Sequence, residues 1–192
     1  MVRQTRAGYR DGGSHIFFLG VVPQDAGSSR SGRDAGRPLF TSMLFERTLP
    51  IGWEHLDVNG HMRNTAYLDL AVNVRMAFFN ANGFPVSEFR RLHVGPVVQR
   101  DDIQYFRECH MLEEIRGTLA VAGLSEDASR FRLRNEFYKS DGRLAARLRS
   151  DGGWLDLSAR RLCVPPDSIR DALSLLDRTD DFEVLKPLEP RA

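Results

Sequence analysis

Between residues 65 and 82 the chain carries a helical stretch with almost no polar face. Tyr67, Leu70, Ala71, Val74, Phe78 and Ala81 recur at three- and four-residue spacing, which places them on one side of a helix. Leu68, Val72, Met76 and Phe79 fill most of the remaining circumference. A helix apolar on nearly all sides is buried on nearly all sides, so the rest of the domain has to wrap it. Its ends are marked too. Asn64 suits the N-cap, because its short side-chain carbonyl can accept an unpaired amide of the first turn. Gly83 offers a left-handed stop, and Pro85 lies just beyond it.

The flanking sequence supplies the wrapper. Residues 44–49 have strand character and run into Pro50, and residues 97–107, 111–122, 130–139 and 144–157 read as four further strands. In the third of these, Phe131, Leu133 and Phe137 alternate with Arg130, Arg132, Arg134, Glu136 and Tyr138. That period of two sets one face on a core and the other in water. Ser140-Asp141-Gly142 is a hairpin signal, and Gly152-Gly153 predicts a bulge or sharp bend. Pro165-Pro166 breaks the sheet, residues 167–176 form a short amphipathic helix, and the tail from Arg178 reads as polar and irregular. Strand, long helix, four antiparallel strands and a terminal helix predict an α+β fold, with the helix against one sheet face.

Of the 192 residues, 42% are hydrophobic, enough for one domain with a sizeable core. Residues 1–42 are rich in Gly, Ser, Arg and Asp and predict a disordered extension, with Met43 as an alternative translation start. The domain then spans 43–177, with 178–192 as a tail. The apolar patch at 16–22 is short for a signal sequence, and no run approaches the ~20 residues of a membrane span. Net charge is +1, from 27 basic and 26 acidic residues, which argues against nucleic acid or an anionic membrane as partner. Cys109 and Cys163 lie far apart, without zinc-ligand or disulfide-framework spacing. The expectation is a soluble, cytoplasmic protein with two free thiols and no metal.

The chemistry concentrates in the stretch from Asp57 to Leu68, which sets Asp57, His61 and Asn64 within eight residues of one another. The helix that follows begins with unpaired amides and a positive partial charge, suited to an oxyanion forming on a carbonyl. Asp57 could activate water or attack the carbonyl itself. The same three residue types also serve as ordinary capping residues at helix starts, and spacing alone leaves both readings open.

The pattern Asp57…Gly60-His61-x-x-Asn64-x-x-Tyr67-Leu68, with Phe78-Phe79…Gly83-Phe84 closing the helix, resembles the hotdog-fold thioesterases of the 4-hydroxybenzoyl-CoA thioesterase superfamily. It is similar in particular to bacterial acyl-CoA thioester hydrolases with an Asp-x-x-Gly-His-x-x-Asn-x-x-Tyr signature. Ile103-Gln-Tyr-Phe-Arg107, Asp141-Gly-Arg-Leu-Ala145 and Arg161-Leu-Cys-Val-Pro-Pro166 add to the likeness. The resemblance implies a sheet wrapped around a long central helix and hydrolysis of an acyl-CoA to free acid and coenzyme A. No cofactor is implied beyond the coenzyme A of the substrate, and the setting would be fatty acid metabolism. It also implies a homodimer or homotetramer with its site between subunits. Asp57 would be the catalytic carboxylate, His61 and Asn64 would shape the site, Gly60 to Thr65 would receive the carbonyl, and Tyr67 would line the acyl pocket. Arg63 stands where many relatives have Asn, and is either a recognition residue for an acidic acyl group or CoA phosphate, or a solvated charge. Arg130, Arg132 and Arg134 divide likewise between nucleotide contacts and a solvent face. His55 and His93 read as isolated, and His110 as a strand-junction residue without a nearby carboxylate motif. Two alternatives remain beside hydrolysis: a hotdog enoyl-CoA hydratase or dehydratase, and a non-catalytic acyl-CoA-binding dimer.

Overall fold

The computed structural model describes residues 44–189, so the expectations for residues 1–42 lie outside the described residues. Strand β1 (Phe45–Pro50) leads through a 3-10 turn (Trp53–His55) into helix α1 (Ala66–Ala81). A short helix α2 (Val86–Arg91) and strands β2 (Val94–Tyr105), β3 (Glu114–Ser125), β4 (Arg130–Lys139) and β5 (Leu144–Asp156) follow. Strand β6 (Arg161–Cys163), helix α3 (Asp167–Leu173) and strand β7 (Arg178–Leu185) complete the described chain. The sheet runs β1-β3-β4-β5-β2, with β6 added to β5 and β7 to β3. Every pairing is antiparallel except β3 with β7. This largely antiparallel sheet with few helices carries α1 against β1, β3 and β5.

Alternation builds the sheet as expected. Along β4, Phe131, Leu133, Asn135 and Phe137 are buried while Arg132, Arg134 and Glu136 face outward. Gly117 on β3 lets the helix close in, since a Cβ there would lie 3.0 Å from Val74 and 3.1 Å from Phe137. The core has two parts. One gathers Phe78, Phe79, Phe84, Phe89, Phe131 and Trp154 around the C-terminal half of α1. The other gathers Ile51, Ala66, Tyr67, Leu70, Cys109 and Phe137 around its first turns.

Several expectations need correction. Helix α1 starts with Thr65 as N-cap, and Asn64 instead accepts the neighbouring Thr65 amide at 2.9 Å. Burial is not all-round. Val72 is 50% exposed, with Leu68 and Met76 half-buried on the same stripe, because one chain's sheet covers only one side of the helix. The bulge lies not at Gly152-Gly153 but across from it, in β2 between Val98 and Arg100. Gly152 is there for close approach: a side chain would strike the Val97 carbonyl and the Phe131 ring. Strand β3 begins later than residue 111, because Leu112 takes a left-handed φ of 68° and holds a turn before it. The tail read as irregular contains β7, whose acidic residues pair with arginines of β4. Helix α2, six residues long, had no periodicity to betray it.

Candidate active site

The segment between β1 and α1 folds into a small closed loop before the helix begins. Gly60 takes a φ of 76° and turns the chain, the Asp57 amide donates to the His61 carbonyl at 2.9 Å, and Leu56 bridges Met62. Asp57 therefore sits where the loop closes, opposite His61. Its Oδ1 accepts the Asn59 amide at 2.8 Å and the His61 amide at 3.4 Å, while Oδ2 has no hydrogen-bond partner among the described residues. One oxygen is fixed by the backbone and the other is left available.

Two ties hold this loop in place. The Met62 amide donates to the Cys109 carbonyl at 2.7 Å, and His61 forms a backbone bridge with His110, joining the loop to the β2–β3 connection. Arg63 supplies the other tie. Its Nε donates to Thr65 Oγ1 at 2.9 Å, its Nη2 to Asp69 Oδ2 at 3.1 Å, and its Nη1 to the Glu54 carbonyl. The guanidinium thus staples the 3-10 turn to the start of α1.

The result is a cleft of about 730 Å³. Asp57, His61, Asn64 and Tyr67 form one wall, Tyr105 to Glu108 and His110 another, and Lys139 and Arg143 reach in from the β4–β5 hairpin. Gly60, Arg63 and Thr65, expected to receive the substrate, do not line it in the single chain: Gly60 shapes the turn, and Arg63 and Thr65 are engaged with each other. The Tyr105 hydroxyl donates to the Asn64 carbonyl at 3.2 Å, fixing the helix entrance. The amides of Asn64 and Tyr67 make no hydrogen bond among the described residues, leaving donors at the positive end of α1. Asp57 itself is exposed in the single chain.

Two buried groups at the cleft, Tyr67 and Cys109, are held toward their neutral forms. Burial pushes the Tyr67 hydroxyl well above the ordinary phenol range, and its hydrogen bond with Cys109 adds to the rise. Burial also raises the Cys109 thiol, so this cysteine is a packing residue and not a nucleophile. Burial alone would raise Glu113, but hydrogen bonds from Lys139 and His110 outweigh it and hold the carboxyl below its usual value.

Sequence reasoning missed part of this wall. His110 is not without carboxylates: its Nδ1 lies 3.3 Å from Glu113 Oε1, and His61 Nε2 lies 3.4 Å from Glu108 Oε2. Glu108 and Glu113 flank His110 closely in the sequence, which was the available signal. Arg130 is exposed, and the other two arginines of β4 are accounted for elsewhere. Arg132 pairs with Asp151 and Glu183, and Arg134 with Asp180 and Asp181. His55 accepts the Gly52 amide at 2.9 Å, a structural role, and His93 lies near Ser158, away from the cleft.

A largely antiparallel sheet with few helices, one of them of 16 residues, defines a protein of the hotdog-fold class. The chain belongs to the thioesterase-like superfamily, whose family model matches residues 51–173, and thioester hydrolysis is its class of chemistry. Among curated proteins none matches the sequence. Solved structures similar to it include a Staphylococcus aureus protein in complex with CoA, at 22% identity and a TM-score of 0.64, covering 69% of this chain and 83% of that one. A 1,4-dihydroxy-2-naphthoyl-CoA thioesterase from Synechocystis is similar at 14% identity and a TM-score of 0.62, over 69% and 96% of the two chains. A DHNA-CoA thioesterase from Staphylococcus aureus follows at 13% identity and a TM-score of 0.63, over 68% and 89%. No helix among the described residues is long and apolar enough to cross a membrane.

Proposed function

We propose that the protein is an acyl-CoA thioesterase that releases a free carboxylic acid and coenzyme A, with Asp57 as its catalytic carboxylate. The observation that carries this reading is that Asp57, His61 and Asn64 line one cleft at the start of α1, in a chain of the thioesterase-like superfamily. The thioester carbonyl would accept hydrogen bonds from the free amides at the helix start, where the macrodipole favours a developing negative charge. Asp57 Oδ2 would draw a proton from a water as its oxygen attacks the carbonyl carbon. Collapse of the tetrahedral intermediate breaks the C–S bond, and the proton passes to the departing thiolate. A thiol of pKa ~8.5 leaves with little acid assistance, so one carboxylate and a set of amide donors suffice. Arg107 brings positive charge to the cleft wall, where a CoA phosphate would rest, while Lys139 and Arg143 are paired with Glu113 and Asp141.

The exposure of Asp57 supports a second subunit as part of the site. Strand β2 ends the sheet with no strand on its outer side among the described residues, and Leu68, Val72 and Met76 leave an apolar stripe on α1. A homodimer pairing these features would cover the cleft and exclude water from it. Thiol release should be followed over a panel of acyl-CoAs for wild type and Asp57→Ala. Turnover by the wild type and a loss of at least ~100-fold in the variant are expected, the scale of a removed general base. Equal rates would overturn the role of Asp57, and hydration of crotonyl-CoA without thiol release would overturn hydrolysis.

A further inference from the structure

We propose that His61, Glu108 and His110 form a binding site for a first-row divalent cation, Zn²⁺ foremost. One ligand atom from each residue lies within 4.8 Å of the other two. His61 Nε2 and Glu108 Oε2 are 3.4 Å apart. Ligand atoms around a tetrahedral zinc with bonds of about 2.1 Å are themselves separated by about 3.4 Å. The set needs only small side-chain rotations to close on an ion.

Two further observations separate this cluster from a chance meeting of surface groups. The segments that bear it are joined by the backbone: His61 bridges His110, and the Met62 amide donates to the Cys109 carbonyl at 2.7 Å. Behind it stands an ordered outer layer. Glu113 lies 3.3 Å from His110 Nδ1 and is itself held by Lys139, whose ammonium also donates to the Glu108 carbonyl at 2.8 Å. A carboxylate on the far nitrogen of a ligating imidazole fixes its tautomer and ring direction, which leaves His110 Nε2 to face the ion. Lys139 is thereby committed to Glu113 and does not oppose a cation in front of His110.

The donors select the metal. Two imidazoles and one carboxylate suit zinc and its first-row neighbours, whereas magnesium and calcium take oxygen ligands. Three protein ligands on an open wall leave a fourth position for water. Searching the sequence for short-range ligand spacing could not find this set, because His61 comes from the helix entrance and the other two from the β2–β3 connection.

The test is direct binding to the full chain stripped with chelator. Calorimetric titration with zinc chloride should show one equivalent per chain, and cobalt(II) in its place should give intense visible bands of a low-coordinate site. His110→Ala and Glu108→Gln should each weaken zinc binding by at least ~10-fold, and Glu113→Gln by about 10-fold through the outer layer. His93→Ala should leave it unchanged. All these residues lie at or near the surface, and matching circular dichroism will establish that the variants fold. Absence of binding, or equal affinity and stoichiometry in the double variant His61→Ala/His110→Ala, would overturn the proposal. Zinc should also slow thiol release, since His61 lines the cleft; that second readout alone rests on the thioesterase reading, and the binding result stands even if no acyl-CoA is hydrolysed.

Discussion

Around the C-terminal half of α1 the core is built from large rings, with Phe79, Phe89, Phe131 and Trp154 in contact at centroid distances of 5.4 to 6.3 Å. Around its first turns the neighbours are mostly smaller, including Ala66, Ala71, Cys109, Ala145 and Ala146, with Tyr67 and Phe137 as the aromatic members. The same helix therefore has one end anchored by aromatic area and another where small residues leave room for a cleft. Large rings remove much apolar surface from water and fix the helix in position. Small residues let a loop, a turn and a strand connection approach the helix start closely. Stability and site are assigned to opposite ends of one element.

The sharpest way to break this division is Trp154→Ala. The indole is fully buried and its Nε1 donates to the Ala128 carbonyl at 3.0 Å, so the variant should lose about 3–5 kcal/mol in urea denaturation. Activity per folded chain should stay within about three-fold of wild type; a specific activity that collapsed without loss of stability would show that the two ends are not separate. Next in size is Arg75→Met, at the seam. Arg75 is buried, donates to Asn135 Oδ1 at 2.8 Å and to Ser150 Oγ at 2.6 Å, and has its pKa brought down to about 10 by burial. Losing it leaves a buried acceptor on Asn135 unsatisfied, and thermal unfolding should register about 1–3 kcal/mol. The smallest effect belongs to the cleft end. Glu113 is held below its usual range, so its contribution is present above the unfolded value of ~4.3 and fades as pH falls through the lower folded value. With its side chain 35% exposed, Glu113→Gln should differ from wild type by less than ~1 kcal/mol at pH 7, and the two should converge in acid. A gap that widened as pH fell would reverse the assignment.

What the sequence disclosed was what repeats locally. Helix α1, the alternation of β4 and the turn at Gly142 each follow from neighbours a few residues apart. Position along the sheet was harder to read, since Leu112 in a left-handed conformation delays β3 and a bulge shifts β2. Arg75 and Asn135 escaped notice because pattern reading sends polar residues outward, whereas these two satisfy each other inside. Asp57, His61, Asn64 and Tyr67 were legible as a motif, and the structure places all four on one cleft. The facing wall was not, because Glu108 and His110 reach His61 only once the β2–β3 connection has folded back. Arg63 carried a charge whose use no spacing could reveal, and it is spent on Thr65, Asp69 and the Glu54 carbonyl.

Strand β7 has a consequence for the outer face of β4. Asp180, Asp181 and Glu183 meet Arg132 and Arg134 across the outer surface, so β7 acts as an electrostatic latch on arginines that would otherwise invite polyanions. These contact pairs lie well inside the Debye length of ~8 Å at physiological ionic strength, and salt screens them strongly only at about 1 M, where that length falls to ~3 Å. Strong brine is then expected to loosen the grip of β7 on β4, while its backbone pairing with β3 and the aromatic half of the core hold.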